Sequence, residues 1–91
     1  MERTPGKKLV KFEFKGEPKQ VVYVAGSFND WNPDKSRLKE EGEGVYAASL
    51  RLAPGRHEYK FVVNGNWYID PNRQDWVPNA HGSLNSVITV A

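Results

Sequence analysis

Three tryptophans and one lysine are the residues whose types and spacing ask for a chemical explanation. Trp31, Trp67 and Trp76 all lie in segments rich in Asn, Asp, Gly and Pro. Core tryptophans usually sit inside apolar strands, whereas tryptophans beside turns are candidates for exposed platforms. Asn64-Gly65 stands between two strand-like runs, the strongest short-range signal for a two-residue type I′ hairpin turn. That turn predicts pairing of Val63 with Asn66, Val62 with Trp67, Phe61 with Tyr68 and Lys60 with Ile69. Side chains alternate between faces, so Phe61 and Tyr68 join Tyr59 and Val63 on the expected core face. Lys60, Val62, Trp67 and Ile69 take the other. Lys60 and Trp67 become diagonal neighbours across the two strands, roughly 7–8 Å apart between backbones. A flat indole beside a cationic donor suits a sugar: the ring covers the apolar C–H face of a pyranose and the ammonium reaches its hydroxyls. Strand parity alone is served equally well by a Trp67 packed beneath a loop and a Lys60 that is only solvated.

Other constellations do not assemble. There is no cysteine, which removes disulfides and thiolate metal sites. His57 and His81 lack ligand spacing, so no metal is expected, and nothing implies a cofactor. Asp70 before Pro71 reads as a turn cap, as do Asp30 and Asp34 around Asn32-Pro33. No carboxylate pair stands out for glycoside hydrolysis. Ser27 lacks the Gly-x-Ser-x-Gly context of a nucleophile elbow. The expectation is a protein that is not an enzyme. Basic residues alternate with acidic ones at a net charge of +2, without the stripe that nucleic-acid binding usually needs.

These residues must be positioned by short strands. Turn signals recur at Lys15–Pro18, Asn32-Pro33-Asp34, Gly42–Gly44, Pro54-Gly55, Asn64-Gly65, Asp70-Pro71-Asn72 and His81-Gly82-Ser83. Between them lie period-two segments. Leu9–Phe14 turns Val10, Phe12 and Phe14 to one face, and Val21–Ala25 is apolar throughout, as a central strand would be. Val45–Leu52 groups Tyr46, Ala48, Leu50 and Leu52, and His57–Val63 groups Tyr59, Phe61 and Val63. Trp67–Ile69 and Ser86–Val90 complete the set, and no window carries a helical stripe. The fold class expected is all-β, an immunoglobulin-like antiparallel β-sandwich. At 91 residues the chain is one domain's worth. It is read as an N-terminal extension, residues 1–8, and a module, residues 9–91. No apolar run approaches the roughly twenty residues of a membrane span. No signal-peptide segment follows the basic N-terminus, so a cytoplasmic location is the expectation.

Three stretches together carry a resemblance. They are Ala25-Gly26-Ser27-Phe28-Asn29-Asp30-Trp31-Asn32-Pro33, then His57 to Trp67 running into Asp70-Pro71-Asn72, and Val77-Pro78-Asn79 followed by Gly82-Ser83-Leu84-Asn85-Ser86-Val87. In this order and spacing the chain, from about Leu9 to Val90, resembles the family 48 carbohydrate-binding module. That family includes the glycogen-binding domain of the AMP-activated kinase β subunit and the early set domains at the N-termini of isoamylases, pullulanases and branching enzymes.

The resemblance implies non-catalytic binding of α-1,4-glucan: glycogen, starch or maltooligosaccharide. It implies that Trp31 and Trp67 stack on glucose, that Lys60 and Asn85 bond its hydroxyls, and that Ser83 contributes from the same loop. His81 departs from the pattern, because the kinase member carries a bulky apolar plug before the loop glycine. A histidine can still stack or hydrogen-bond there. Trp76 lies outside the core motif and either extends the platform or covers the sheet edge, the second reading being preferred. The alternative is an early set domain that packs against a catalytic or regulatory partner domain and binds little sugar. Intact Trp31, Lys60, Trp67 and Asn85 favour glucan binding.

Overall fold

Segments in which apolar and polar residues alternate become strands, because alternate side chains point to opposite faces of a pleated backbone. The computed structural model describes residues 6–73 and 75–91. It contains β1 (Lys8–Lys15), β2 (Val22–Gly26), β3 (Ser36–Gly42), β4 (Val45–Leu52), β5 (Gly55–Val63), β6 (Asn66–Tyr68), β7 (Trp76–Pro78) and β8 (Leu84–Val90). No helix occurs among the described residues. Residues 1–5 of the expected N-terminal extension lie outside them.

All pairings are antiparallel, in the order β1-β4-β3-β2-β5-β8-β7, with β6 paired to β5. β3 joins the two layers. Its residues Ser36–Leu38 pair with β2 and its residues Lys39–Gly42 with β4, with a register shift between Glu40 and Gly42. A bulge of this kind bends a strand and increases its twist; the change of partner from one layer to the other falls just before it, between Leu38 and Lys39. The all-β sandwich is therefore curled from one continuous sheet. β3 and β7 were not legible as strands. In β3 only Leu38 is buried, between the exposed Arg37 and Lys39.

The inward positions of both layers form the core: Phe12, Val22, Val24, Leu38, Tyr46, Leu52, Tyr59, Phe61, Val63, Ile88 and Val90. Val10, Phe14, Ala48 and Leu50 pack against it, as their parity requires. Aromatic rings stitch the layers, with Phe12 edge-on to Tyr59 at 5.0 Å and Phe14 tilted against Phe61 at 5.3 Å. The Tyr59 hydroxyl donates to Asp70 Oδ2 at 2.7 Å. Burial, then the bond to Asp70 and its negative charge, push the Tyr59 phenol well above its ordinary range. Asp70 is itself buried. Its backbone N–H donates to Ser86 Oγ, and its Oδ1 accepts from Asn72 N at 2.9 Å. It therefore caps the Asp70-Pro71-Asn72 turn and ties that turn to β5 and β8.

The β5–β6 hairpin has the expected register: Phe61 faces Tyr68, Val62 faces Trp67 and Val63 faces Asn66. Asn64 and Gly65 adopt φ of 50° and 86°, the left-handed pair that a type I′ turn requires. One expectation fails within this correct register. Tyr68 is 48% exposed and is not a core residue. It occupies the core-side parity, but β6 is a three-residue edge strand bonded only to β5. Burial needs a facing layer as well as the right parity. Conversely Val62, on the outer face, is buried beneath its neighbours.

Candidate functional site

The outer face of β5 presents Glu58, Lys60 and Val62 in alternation with the inward Tyr59, Phe61 and Val63. Along the edge of β5 away from β2, β6 sets Trp67 opposite Val62. Further along the same edge, β8 contributes Asn85, one residue before the inward Ser86 that pairs with Tyr59. Two loops, residues 27–35 and 79–83, rise beside this strip. Together they border an open cavity of about 720 Å³ lined by Trp31, Lys60, Trp67, His81, Ser83 and Asn85. All six residues singled out by the sequence line this one cavity. Glu58, Pro78, Asn79 and Ala80 complete its wall. Trp76 lies elsewhere. It is 45% exposed on the edge strand β7, beside a separate shallow depression with Arg56, Val77 and Val87.

Trp31 is held in an unusual way. Asp30 and Trp31 both have φ of 57°, a left-handed conformation that is an outlier for a bulky residue. Asn29, buried between the strands, over-determines it. Its Oδ1 accepts from Gly26 N at 2.9 Å, and its Nδ2 donates to Val24 O at 2.9 Å and to Ser36 Oγ at 3.0 Å. The N–H groups of Asn29 and Trp31 both donate back to Gly26 O, at 3.1 and 2.9 Å. Gly26 is required here, because a Cβ at that position would run into Glu58 O and the Phe28 ring. The loop therefore offers its indole from a fixed backbone.

The opposite wall is one connected set of hydrogen bonds. Lys60 Nζ donates to Ser83 Oγ at 3.0 Å, and Asn79 Nδ2 donates to the same oxygen at 2.8 Å and to Asn85 Oδ1 at 3.0 Å. Asn85 Nδ2 donates to Glu58 Oε1 at 3.1 Å. Asn79 Oδ1 accepts from the N–H groups of His81 and Ser83, and its own N–H donates to Ser83 O. Asn79 thus fixes the loop that carries His81 and Ser83. Each group keeps capacity for a ligand: Lys60 has further ammonium hydrogens, and Ser83, which accepts twice, keeps its own O–H to donate.

Glu58 and Asn79 were missed in the sequence, although each left a signal. Glu58 shares the parity of Lys60 two positions away, and Asn79 follows a proline at the start of a glycine loop, where asparagine side chains bond nearby backbone N–H groups. Ser27 bonds only backbone, exchanging hydrogen bonds with the N–H and C=O of Glu58. No group of three His, Cys, Asp or Glu side chains suited to a metal occurs among the described residues. His57 bonds Ala53 O.

Comparison with known proteins decides what kind of domain carries this cavity. Residues 9–91 match the family model described as the glycogen recognition site of AMP-activated protein kinase. The chain belongs to that family. This glycogen-recognition domain, a carbohydrate-binding module, is 42% identical over 70 residues to Protein PTST homolog 2, chloroplastic, of Arabidopsis thaliana. The match covers 77% of the chain and 13% of that protein. It is 38% identical over 80 residues to the AMP-activated protein kinase subunit beta-1 of Sus scrofa, covering 87% of the chain and 61% of that sequence. A maltogenic amylase from S. marinus shares the fold at a TM-score of 0.76 and 20% identity, over 98% of the chain and 15% of the amylase. The glycogen-recognition domain thus spans only part of the length of the relatives it matches. One of them is named as chloroplastic, so membership of the family does not by itself place the chain in the cytoplasm. No helix among the described residues is long and apolar enough to cross a membrane.

Proposed function

We propose that this domain binds α-1,4-glucan and performs no reaction on it. The observation that carries the reading is the pairing of two indoles, Trp31 and Trp67, with the Lys60–Ser83–Asn79–Asn85–Glu58 hydrogen-bond chain across one open cavity. The rings offer flat apolar surface to pyranose C–H faces, and the polar wall offers donors and acceptors to ring hydroxyls. Lys60, Asn85 and Ser83 are assigned to hydroxyl contacts, and His81 to the rim. Glycoside hydrolysis uses two carboxyl groups, and among the described residues lining the cavity Glu58 is the one carboxylate. Affinity is modest, because each sugar hydroxyl must give up good hydrogen bonds to water before it can bond the protein. Joined to a catalytic or regulatory domain, the module would hold that domain on glycogen or starch.

Affinity electrophoresis through gels containing glycogen, amylopectin or hydroxyethyl cellulose tests the reading. Retardation by the first two is expected, and retardation by cellulose alone would overturn it. Trp67→Ala should abolish most retardation while the melting temperature stays near that of the unmodified chain. The indole is 43% exposed on the outer face, so its removal opens no core cavity.

A further inference from the structure

Trp67 also lines a second depression of about 380 Å³ on the same outer face, on the side away from Lys60. Its floor is a row across three adjacent strands: Tyr23 of β2 pairs with Val62 of β5, which pairs with Trp67 of β6. Directly paired residues share a face, so the phenol of Tyr23, the buried Val62 and the indole of Trp67 form one apolar strip. Two strand spacings separate its ends, about 10 Å, a span that two or three linked pyranoses cover.

The rim of this depression is polar in a selective way. Asn64 Oδ1 is committed to Val21 N at 2.9 Å, and the rest of the amide is a donor. Asp34 is exposed on the facing loop, where its backbone N–H is fixed by Asn32 Oδ1 at 2.9 Å. Its carboxylate forms no ion pair among the described residues. The depression therefore has an apolar floor, one amide donor and one charged acceptor. A carboxylate accepts readily from neighbouring hydroxyls and repels phosphate or uronate groups.

We infer that the second depression is an additional subsite for neutral glucosyl units, reached by a glucan chain that continues from the first cavity across Trp67. The inference rests on the glucan reading of the first cavity. In this arrangement the indole is shared, and chain length becomes the quantity the protein reads. A short oligosaccharide fills the first cavity alone. A longer one adds contacts with Tyr23, Asp34 and Asn64.

Titration of maltotriose and maltoheptaose, by calorimetry or tryptophan fluorescence, into the unmodified chain and into Asp34→Ala and Tyr23→Leu separates the possibilities. Each variant should leave maltotriose affinity unchanged and weaken maltoheptaose roughly threefold to tenfold, the range of one ordinary hydrogen bond or contact. In nitrogen-labelled protein the Asn64 side-chain amide and Gly65 N–H signals should shift with maltoheptaose and not with maltotriose. Equal effects on both sugars, or no effect on either together with unmoved Asn64 and Gly65 signals, would overturn the subsite and leave glucan binding standing. Failure of the unmodified chain to bind either sugar would overturn the glucan reading itself, and the subsite with it.

Discussion

Replacing Asn29 with alanine should damage both stability and binding, through two effects that can be measured apart. The side chain satisfies the backbone N–H of Gly26 and C=O of Val24, both at fully buried positions. Alanine leaves both orphaned, at about 1–3 kcal/mol each. Ser36 loses a donor as well, but its half-buried hydroxyl can turn toward another partner. A loss of about 2–6 kcal/mol follows, which in a domain of this size lowers the melting temperature by at least about 8 °C. The second effect concerns the left-handed Asp30 and Trp31, each strained by about 1–2 kcal/mol. Without Asn29 that strain relaxes by moving the loop, and the Trp31 indole leaves the cavity wall. Maltoheptaose affinity, measured well below the lowered melting temperature, should then fall about tenfold or more. Asn29→Asp should do no better, since it keeps the acceptor for Gly26 and sets a carboxylate oxygen against Val24 O. Circular dichroism melts and fluorescence titration supply both readouts. A melting temperature within about 2 °C of the unmodified chain would refute the reasoning, because it would mean that the buried bonds carry no net stability.

Other outcomes follow from particular contacts. Tyr59 has a folded-state pKa raised above its unfolded value near 10, so its contribution is complete below about pH 10 and is lost as pH rises beyond it, by up to about 1.4 kcal/mol per unit. Urea denaturation at pH 9, 10 and 11 should show the stability advantage of the unmodified chain over Tyr59→Phe shrinking across that range. A constant difference would contradict the assignment. Tyr68→Ala should change stability by less than about 1 kcal/mol in the same assay, as for other edge and surface positions. Asn79→Asp removes the donors to Ser83 and Asn85 while preserving size, and should weaken maltoheptaose binding several-fold with a small change in melting temperature. Unaltered affinity would show that the loop holds its shape without the amide.

Most of the strand framework could be read from alternation and turn residues. The β5–β6 register followed from two residues, Asn64 and Gly65, because a type I′ turn leaves no freedom in pairing. Lys60 and Trp67 therefore fall on one face by parity, and they line one cavity. Parity does not say which edge residues find a covering layer, and the expectation for Tyr68 fails for that reason. β3 escaped because a strand that passes from one layer to the other, with a single buried leucine, carries no clean period-two signal. The role of Asn29 is invisible in one dimension. Its partners are backbone groups of Val24 and Gly26 and the hydroxyl of Ser36, and only the folded loop brings them together. Glu58 and Asn79 were hidden among many polar residues whose ordinary fate is solvent.

The crossing of β3 between layers has a mechanical consequence. The loop that presents Trp31 runs straight into Ser36, the first residue of the strand whose far end pairs with β4. Asn29 clamps that junction from within. A pull on the indole is thus transmitted along a single covalent strand to the opposite side of the sandwich, because Ser36–Leu38 tie that strand to one layer and Lys39–Gly42 tie it to the other. The face that carries Trp31 is anchored at the hem of the fold, so under the proposed function the load of a held polysaccharide would be shared by both layers and would not fall on one loop alone.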